Sequence, residues 1–171
     1  MILNRYVFLF INPIFEKNQK STEKMDRTIQ IIHSYWAYLV LLIVLLATIN
    51  ALAAFFSKRE YSAKDFRISL FALIVTHIQL LIGLVLYFTS PLWGLSSISN
   101  MGMAAVMKDS SARLFAVEHP LVMILAVVFI TIGYSKHKKN LLSHKKFKTL
   151  SIFYTIALVL MLSMIPWDLW F

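Results

Sequence analysis

Four ionisable side chains lie inside the apolar stretches of this chain: His33, His77, Glu118 and His119. Ionisable groups are costly in hydrocarbon and mark ion pathways, proton relays or cofactor sites. Imidazole can shuttle protons near neutral pH or ligate a metal. There is no cysteine, which excludes disulfides, thiolate metal centres, iron–sulfur clusters and haem attached covalently through Cys-x-x-Cys-His. Haem held non-covalently by histidine nitrogens stays compatible with this inventory. No nucleophile–base pairing or acid–base dyad is visible. The chemistry these residues suit is therefore ligation, electron transfer or proton movement rather than bond cleavage.

The elements that must position them follow from composition. The chain has 171 residues, 59% of them hydrophobic, and a mean hydropathy of +0.72. A soluble domain of that length cannot hide so much apolar surface, whereas a bilayer crossing needs about 20 apolar residues. Four runs qualify, at 31–56, 66–88, 114–134 and 150–165. In lipid each backbone amide must be satisfied within its own segment, so the runs are helices. The expected fold class is all-α, a polytopic membrane protein with a four-transmembrane-helix bundle.

The net charge of +9 sits mainly in the short connections, where it sets topology and meets anionic headgroups rather than nucleic acid. Lys58, Arg59, Lys64 and Arg67 mark the first connection, and Lys136, Lys138, Lys139, Lys145, Lys146 and Lys148 the third. Only Lys108 and Arg113 occupy the middle one, residues 89–113. The middle connection and both termini are thus expected outside, an N-out/C-out arrangement. Residues 1–24 fit poorly, with Arg5, Lys17, Lys20 and Lys24 on the wrong side. They are read as an N-terminal extension ahead of a true start at Met25, or as a disordered tail or interfacial helix. The transmembrane domain is residues 25–171.

The middle connection is amphipathic through Leu92, Trp93, Ile98, Met101, Met103 and Met107 and is expected to lie on the outer surface; loops of this length tend to be functional. Trp36, Tyr35, Tyr38, Trp93, Trp167 and Trp170 read as an interfacial aromatic belt. The sequence around His137 and His144 reads as a solvated, Lys-rich loop.

At about 1.5 Å per helical residue, His33 and His119 lie roughly 3 and 8 Å below the outer edge and His77 roughly 16 Å. Two histidines at one level on different helices are what a six-coordinate haem requires. Arg27 and Arg113 each precede one of that pair by six residues, toward the outer surface, where an arginine can pair with a propionate. Lys108 is a further candidate. Gly83 would let a flat macrocycle or a neighbouring helix approach closely. The plainer alternatives are headgroup contact for His33, snorkelling for the arginines and small-residue packing for Gly83. His77 reads as interhelical glue, to Thr131 or Thr155, or as part of a proton path. Glu118 reads as paired with Arg113 or Lys108, or as a proton acceptor for a quinol.

The segments His33-Ser-Tyr-Trp-Ala, His77-Ile-Gln-Leu-Leu-Ile-Gly83-Leu, Ala116-Val-Glu-His119-Pro-Leu, Ile132-Gly-Tyr-Ser-Lys and Ile165-Pro-Trp resemble a family of small four-helix bacterial membrane proteins labelled cytochrome b-like. The resemblance covers about residues 25–167. A more distant similarity runs to one half of haem A synthase, a four-helix bundle with a histidine on two helices and a Gln-x-x-x-Gly helix between them. It implies His33 and His119 as axial ligands, with Gln79 to Gly83 between, and leaves His77 outside the pattern. This chain has one such bundle, so the second haem site of those enzymes has no counterpart in it.

The expected function is that of a small b-type cytochrome binding one haem b near the outer face. It would transfer electrons from a quinol or serve as a subunit among respiratory-chain partners, as an accessory or electron-transfer subunit rather than a stand-alone enzyme. The alternatives are a cofactor-free structural or assembly subunit, a haem-modifying enzyme acting as a homodimer, and a small proton-coupled transporter using Glu118 and His77.

Overall fold

A computed structural model describes the backbone of residues 2–167 and the side-chain surroundings of residues 20–167. Trp170 and the Arg5 and Lys17 charges lie outside the latter. The helices are α1 (Ile2–Phe56), α2 (Ala63–Thr89), α3 (Leu95–Met101), α4 (Met103–Val106), α5 (Ser110–Arg113), a π-helical turn (Leu114–Glu118), α6 (His119–Lys139) and α7 (Ser143–Ser163). Four helical stretches, Lys20–Phe56, Ala63–Thr89, Ser110–Lys139 and Ser143–Ser163, are long and apolar enough to cross a bilayer. The protein is a multi-pass, all-helical membrane protein. Large aliphatic side chains such as Leu42, Leu46, Ile49, Leu81 and Val159 face outward, as lipid contact demands.

α1 packs on α2 and α7, and α6 packs on the same two. The helices therefore form a ring with α1 and α6 on one diagonal. The seam of α1 repeats every three or four residues through Val40, Val44, Ala47, Ala51 and Ala54, all buried. That 3.5-residue spacing gives knobs-into-holes packing, and its small side chains let the helices approach closely. Ala72 and Val75 from α2, Ala126 and Ile130 from α6, and Tyr154 and Ala157 from α7 complete the core.

The helices overrun the apolar runs at the Lys-rich end. α6 continues to Lys139 and α7 begins at Ser143, so residues 140–142 alone connect them where a fourteen-residue loop is expected from charge. Charge marks the edge of the lipid, not the end of the helix. Lysine is a good helix former, and cations in a last turn complement the helix dipole. α1 ends at Phe56, and just beyond it Lys58 has a left-handed φ of 52°; the Arg59 amide donates back to Ala54 O at 3.1 Å, a Schellman-type ending. α2 begins three residues early because the Ser62 amide and hydroxyl both donate to the Asp65 carboxylate. That carboxylate is buried and also accepts from Asn50 (2.8 Å) and Arg59 (2.6 Å). The first turnaround is thereby clamped.

Two expectations are corrected here. His137 is not solvated: it is 1% exposed, and its Nε2 shares a 2.9 Å hydrogen bond with the Tyr61 hydroxyl. Burial pushes the Tyr61 phenol up to about 12. Trp36 is not a belt residue: its indole N–H donates to Val75 O at 3.1 Å, between α1 and α2. Tyr35 and Tyr38 remain outward-facing.

Candidate functional site

At the end opposite the lysines, the α1 seam changes character. Continuing the 3.5-residue repeat upward from Val40 leads through Ala37 to His33, Gln30 and Asp26. Here the helices enclose a cavity of about 300 Å³, lined among others by His33, Gln79, Gly83, Trp93, Phe115 and His119. Its walls are mainly aliphatic and aromatic, as in small-molecule sites, and its volume is at the lower end of their range.

The two histidines come from the diagonal helices and meet at the cavity. Their ring centroids are 6.2 Å apart and their planes inclined by 68°. Each is held by a different device. The His119 Nδ1–H donates to Met164 O at 2.8 Å. That carbonyl is free because α7 ends at Ser163 and Pro166 bars its continuation. A carbonyl can only accept, so the bond fixes the neutral tautomer and leaves Nε2 with its lone pair, the orienting arrangement found behind metal-bound imidazoles.

His33 is held by α2. A Cβ at Gly83 would stand 3.1 Å from His33 Cε1, so the absent side chain is what lets the ring lie against the helix. One turn away, the Gln79 amide nitrogen donates to His33 O at 3.0 Å and stands 3.3 and 3.4 Å from Nδ1 and Nε2 of the His33 ring. The Gln79 Oε1 is buried without a partner. Exchanging the amide's oxygen and nitrogen would forfeit the 3.0 Å bond, so the orphaned acceptor is a property of the site.

Above His119 the chain forms the π turn. The His119 amide donates to Leu114 O rather than to the carbonyl four residues back. Pro120 has no N–H to offer Ala116 O, and the Tyr87 hydroxyl donates to that carbonyl at 3.2 Å. Gly94 has φ +67°, and a Cβ there would lie 2.5 Å from Tyr87 O. Only glycine allows this approach, which brings Trp93 over the cavity against Phe115, ring centroids 4.9 Å apart.

Of the residues singled out from sequence, His33, His119, Gly83 and Gln79 converge on the cavity. Arg113 and Glu118 do not line it; they pair with each other at 2.9 Å, and Arg113 also donates to Met107 O. Their pairing ties the π turn to the middle loop. Arg27 and Lys108 are exposed beyond the lining. His77 is on the outer surface, its Nδ1–H bonded to Leu73 O at 2.8 Å, with the Thr131 hydroxyl 3.4 Å from Nε2. Thr131 donates its one proton to Val127 O at 2.8 Å, so His77 is anchored within its own helix.

No protein-family model, curated protein or solved structure matches this chain. Among the described residues no group of three or more His, Asp or Glu side chains converges as a metal site. The 6.2 Å between the His33 and His119 centroids would let one group bound in the cavity contact both imidazoles.

The sequence reasoning missed Trp93 and Phe115 as walls, because aromatic residues in an amphipathic loop read equally well as a surface belt. It also missed Gln30 and the 6%-exposed Asp26, joined at 2.7 Å. The 3.5-residue repeat carried from Ala54 up to Asp26 would have found both.

Proposed function

We propose that the cavity between α1 and α6 holds one b-type haem, with His33 and His119 as axial ligands. In this reading the protein moves electrons between a quinol and a partner, or does so as a subunit of a respiratory assembly in a bacterial inner membrane, with the middle loop outside. The observation that carries it is the pair of imidazoles, 6.2 Å between centroids, from diagonal helices inside an apolar cavity. The residues present fit such a group. His119 presents Nε2 through its Met164 bond, Gly83 leaves His33 room beside α2, and Gln79 carries an unpartnered acceptor.

When bound, haem supplies one-electron chemistry at a potential set by its axial ligands and surroundings. The chain's part is to orient the two imidazoles, exclude water with aliphatic and aromatic walls and keep the ligand pair neutral. The cations expected for the propionates divide: Arg113 is committed to Glu118, while Arg27 and Lys108 stay available at that end.

The test is a reduced-minus-oxidised spectrum of the detergent-purified protein beside His33→Ala and His119→Ala. A sharp α-band in the wild type, absent from both variants, is the expected result. A protein that stays colourless after haem is supplied would remove the reading and leave a cofactor-free subunit.

A further inference from the structure

We propose that the middle loop carries a second, separate site: one soft monovalent metal ion, Cu(I) or Ag(I), held by the thioethers of Met101, Met103 and Met107. Three of the eight methionines fall within seven residues, in the pattern Met-Gly-Met-x-x-x-Met. The backbone gathers them. α3 ends at Met101, Gly102 turns the chain with φ +79°, and Met103 opens α4. The Met107 amide donates to Met103 O at 3.0 Å, so these two residues sit one helical turn apart, with Cβ atoms about 5–6 Å from each other on one face. Nothing lies within 4 Å of a Cβ built at Gly102, which leaves open the space between Met101 and Met103.

The three side chains are only half covered by the rest of the chain. They are 48%, 49% and 46% exposed, whereas Met161 in the core is 5% exposed. Val106, fully buried between Met103 and Met107, pins the turn to Ala112 and Ala116. The sulfurs are thus presented on an anchored turn rather than a loose one. Thioethers are soft, neutral donors that select Cu(I) over Mg²⁺, Ca²⁺ or Zn²⁺, which prefer oxygen, nitrogen or thiolate. They carry no proton to lose, so binding by this triad requires no deprotonation.

A methionine cluster could serve instead as apolar contact with the membrane surface. Leucine would do that equally well, being close in volume and apolarity, and this separates the two roles. The full-length protein in detergent is titrated anaerobically with Cu(I) against a chromophoric Cu(I) chelator, and the loaded protein is examined by copper K-edge absorption. The expected result is one ion per chain with sulfur scatterers. The Met101→Leu/Met103→Leu/Met107→Leu variant should lose those scatterers and at least tenfold in affinity, with helicity and vesicle association unchanged. A variant that keeps its affinity and sulfur signal, or a wild type that takes no Cu(I) from the chelator, would overturn the proposal and leave a membrane-contact surface. Because the readout is sulfur ligation, an ion on His33 or His119 cannot be mistaken for it.

Discussion

His119 and His137 lie on the same face of one helix, about five turns apart, and the bundle treats them in opposite ways. Around His137 the space is filled. Tyr61, Phe66 and Tyr134 crowd the ring, with centroids 5.1 to 6.4 Å away, and the Tyr61 hydroxyl occupies its Nε2. Around His119 there is a cavity, a second imidazole beside it and an Nε2 left open by the bond from Nδ1 to Met164 O. His137 is fully buried at 1% exposure, whereas His119 is only partly buried at the cavity edge. What would separate a ligand from a packing residue is unfilled volume beyond its lone pair and a second donor beside it, both of which His119 has and His137 lacks.

Substituting each histidine in turn breaks the comparison most directly. His33→Ala and His119→Ala are expected to abolish the α-band. His137→Ala should leave the spectrum unchanged but cost about 1–3 kcal/mol of stability, since it strands the Tyr61 hydroxyl; equal spectral loss in all three would make the two ends equivalent. Next in size is Gly94→Ala. Its left-handed φ and the 2.5 Å approach to Tyr87 O should cost roughly 1–3 kcal/mol and loosen the loop over the cavity. Gly102→Ala shares the positive φ but meets nothing within 4 Å, so thermal unfolding of the pair should show the smaller loss at Gly102.

Gly83→Ala sharpens the ligand end. The added methyl would stand 3.1 Å from His33 Cε1, and turning that ring off its rotamer costs about 1 kcal/mol. A fewfold weaker haem affinity with intact folding is the expected outcome, measured by haem titration. The smallest effect tests the packed end. The folded Tyr61 phenol titrates at about 12 against an ordinary 10.0, so between those values the folded state keeps a proton that the unfolded state releases. Stability contributed by this group is complete below pH 10 and declines as pH rises toward 12. Tyr61→Phe should flatten that decline in alkaline melting curves.

Much of this was readable before any coordinates. A bilayer demands uninterrupted apolar runs, so the four spans stand out and their charged flanks bound them. The shared level of His33 and His119 follows from rise per residue alone. The ring order that puts α1 and α6 on a diagonal does not, since it depends on which seams mesh. The Lys-rich stretch misled for a definite reason: residues 136–139 are helical and charged at once, so His137 among them looks solvated while its side chain turns inward. Glu118 was legible as a partner of Arg113, but not the π turn that joins them, because one extra residue in a turn has no composition of its own.

That extra residue has a consequence for how the protein can vary. A wide turn is an insertion of one amino acid into an otherwise ordinary helix, accommodated without breaking it. Removing one residue from Leu114–Val117 would turn the segment before it by about 100° relative to α6 and take Arg113 out of register with Glu118. The His119 bond to Met164 O lies beyond the deletion and would keep its partners. The turn therefore acts as a joint whose one residue sets how the middle loop is aimed over α6.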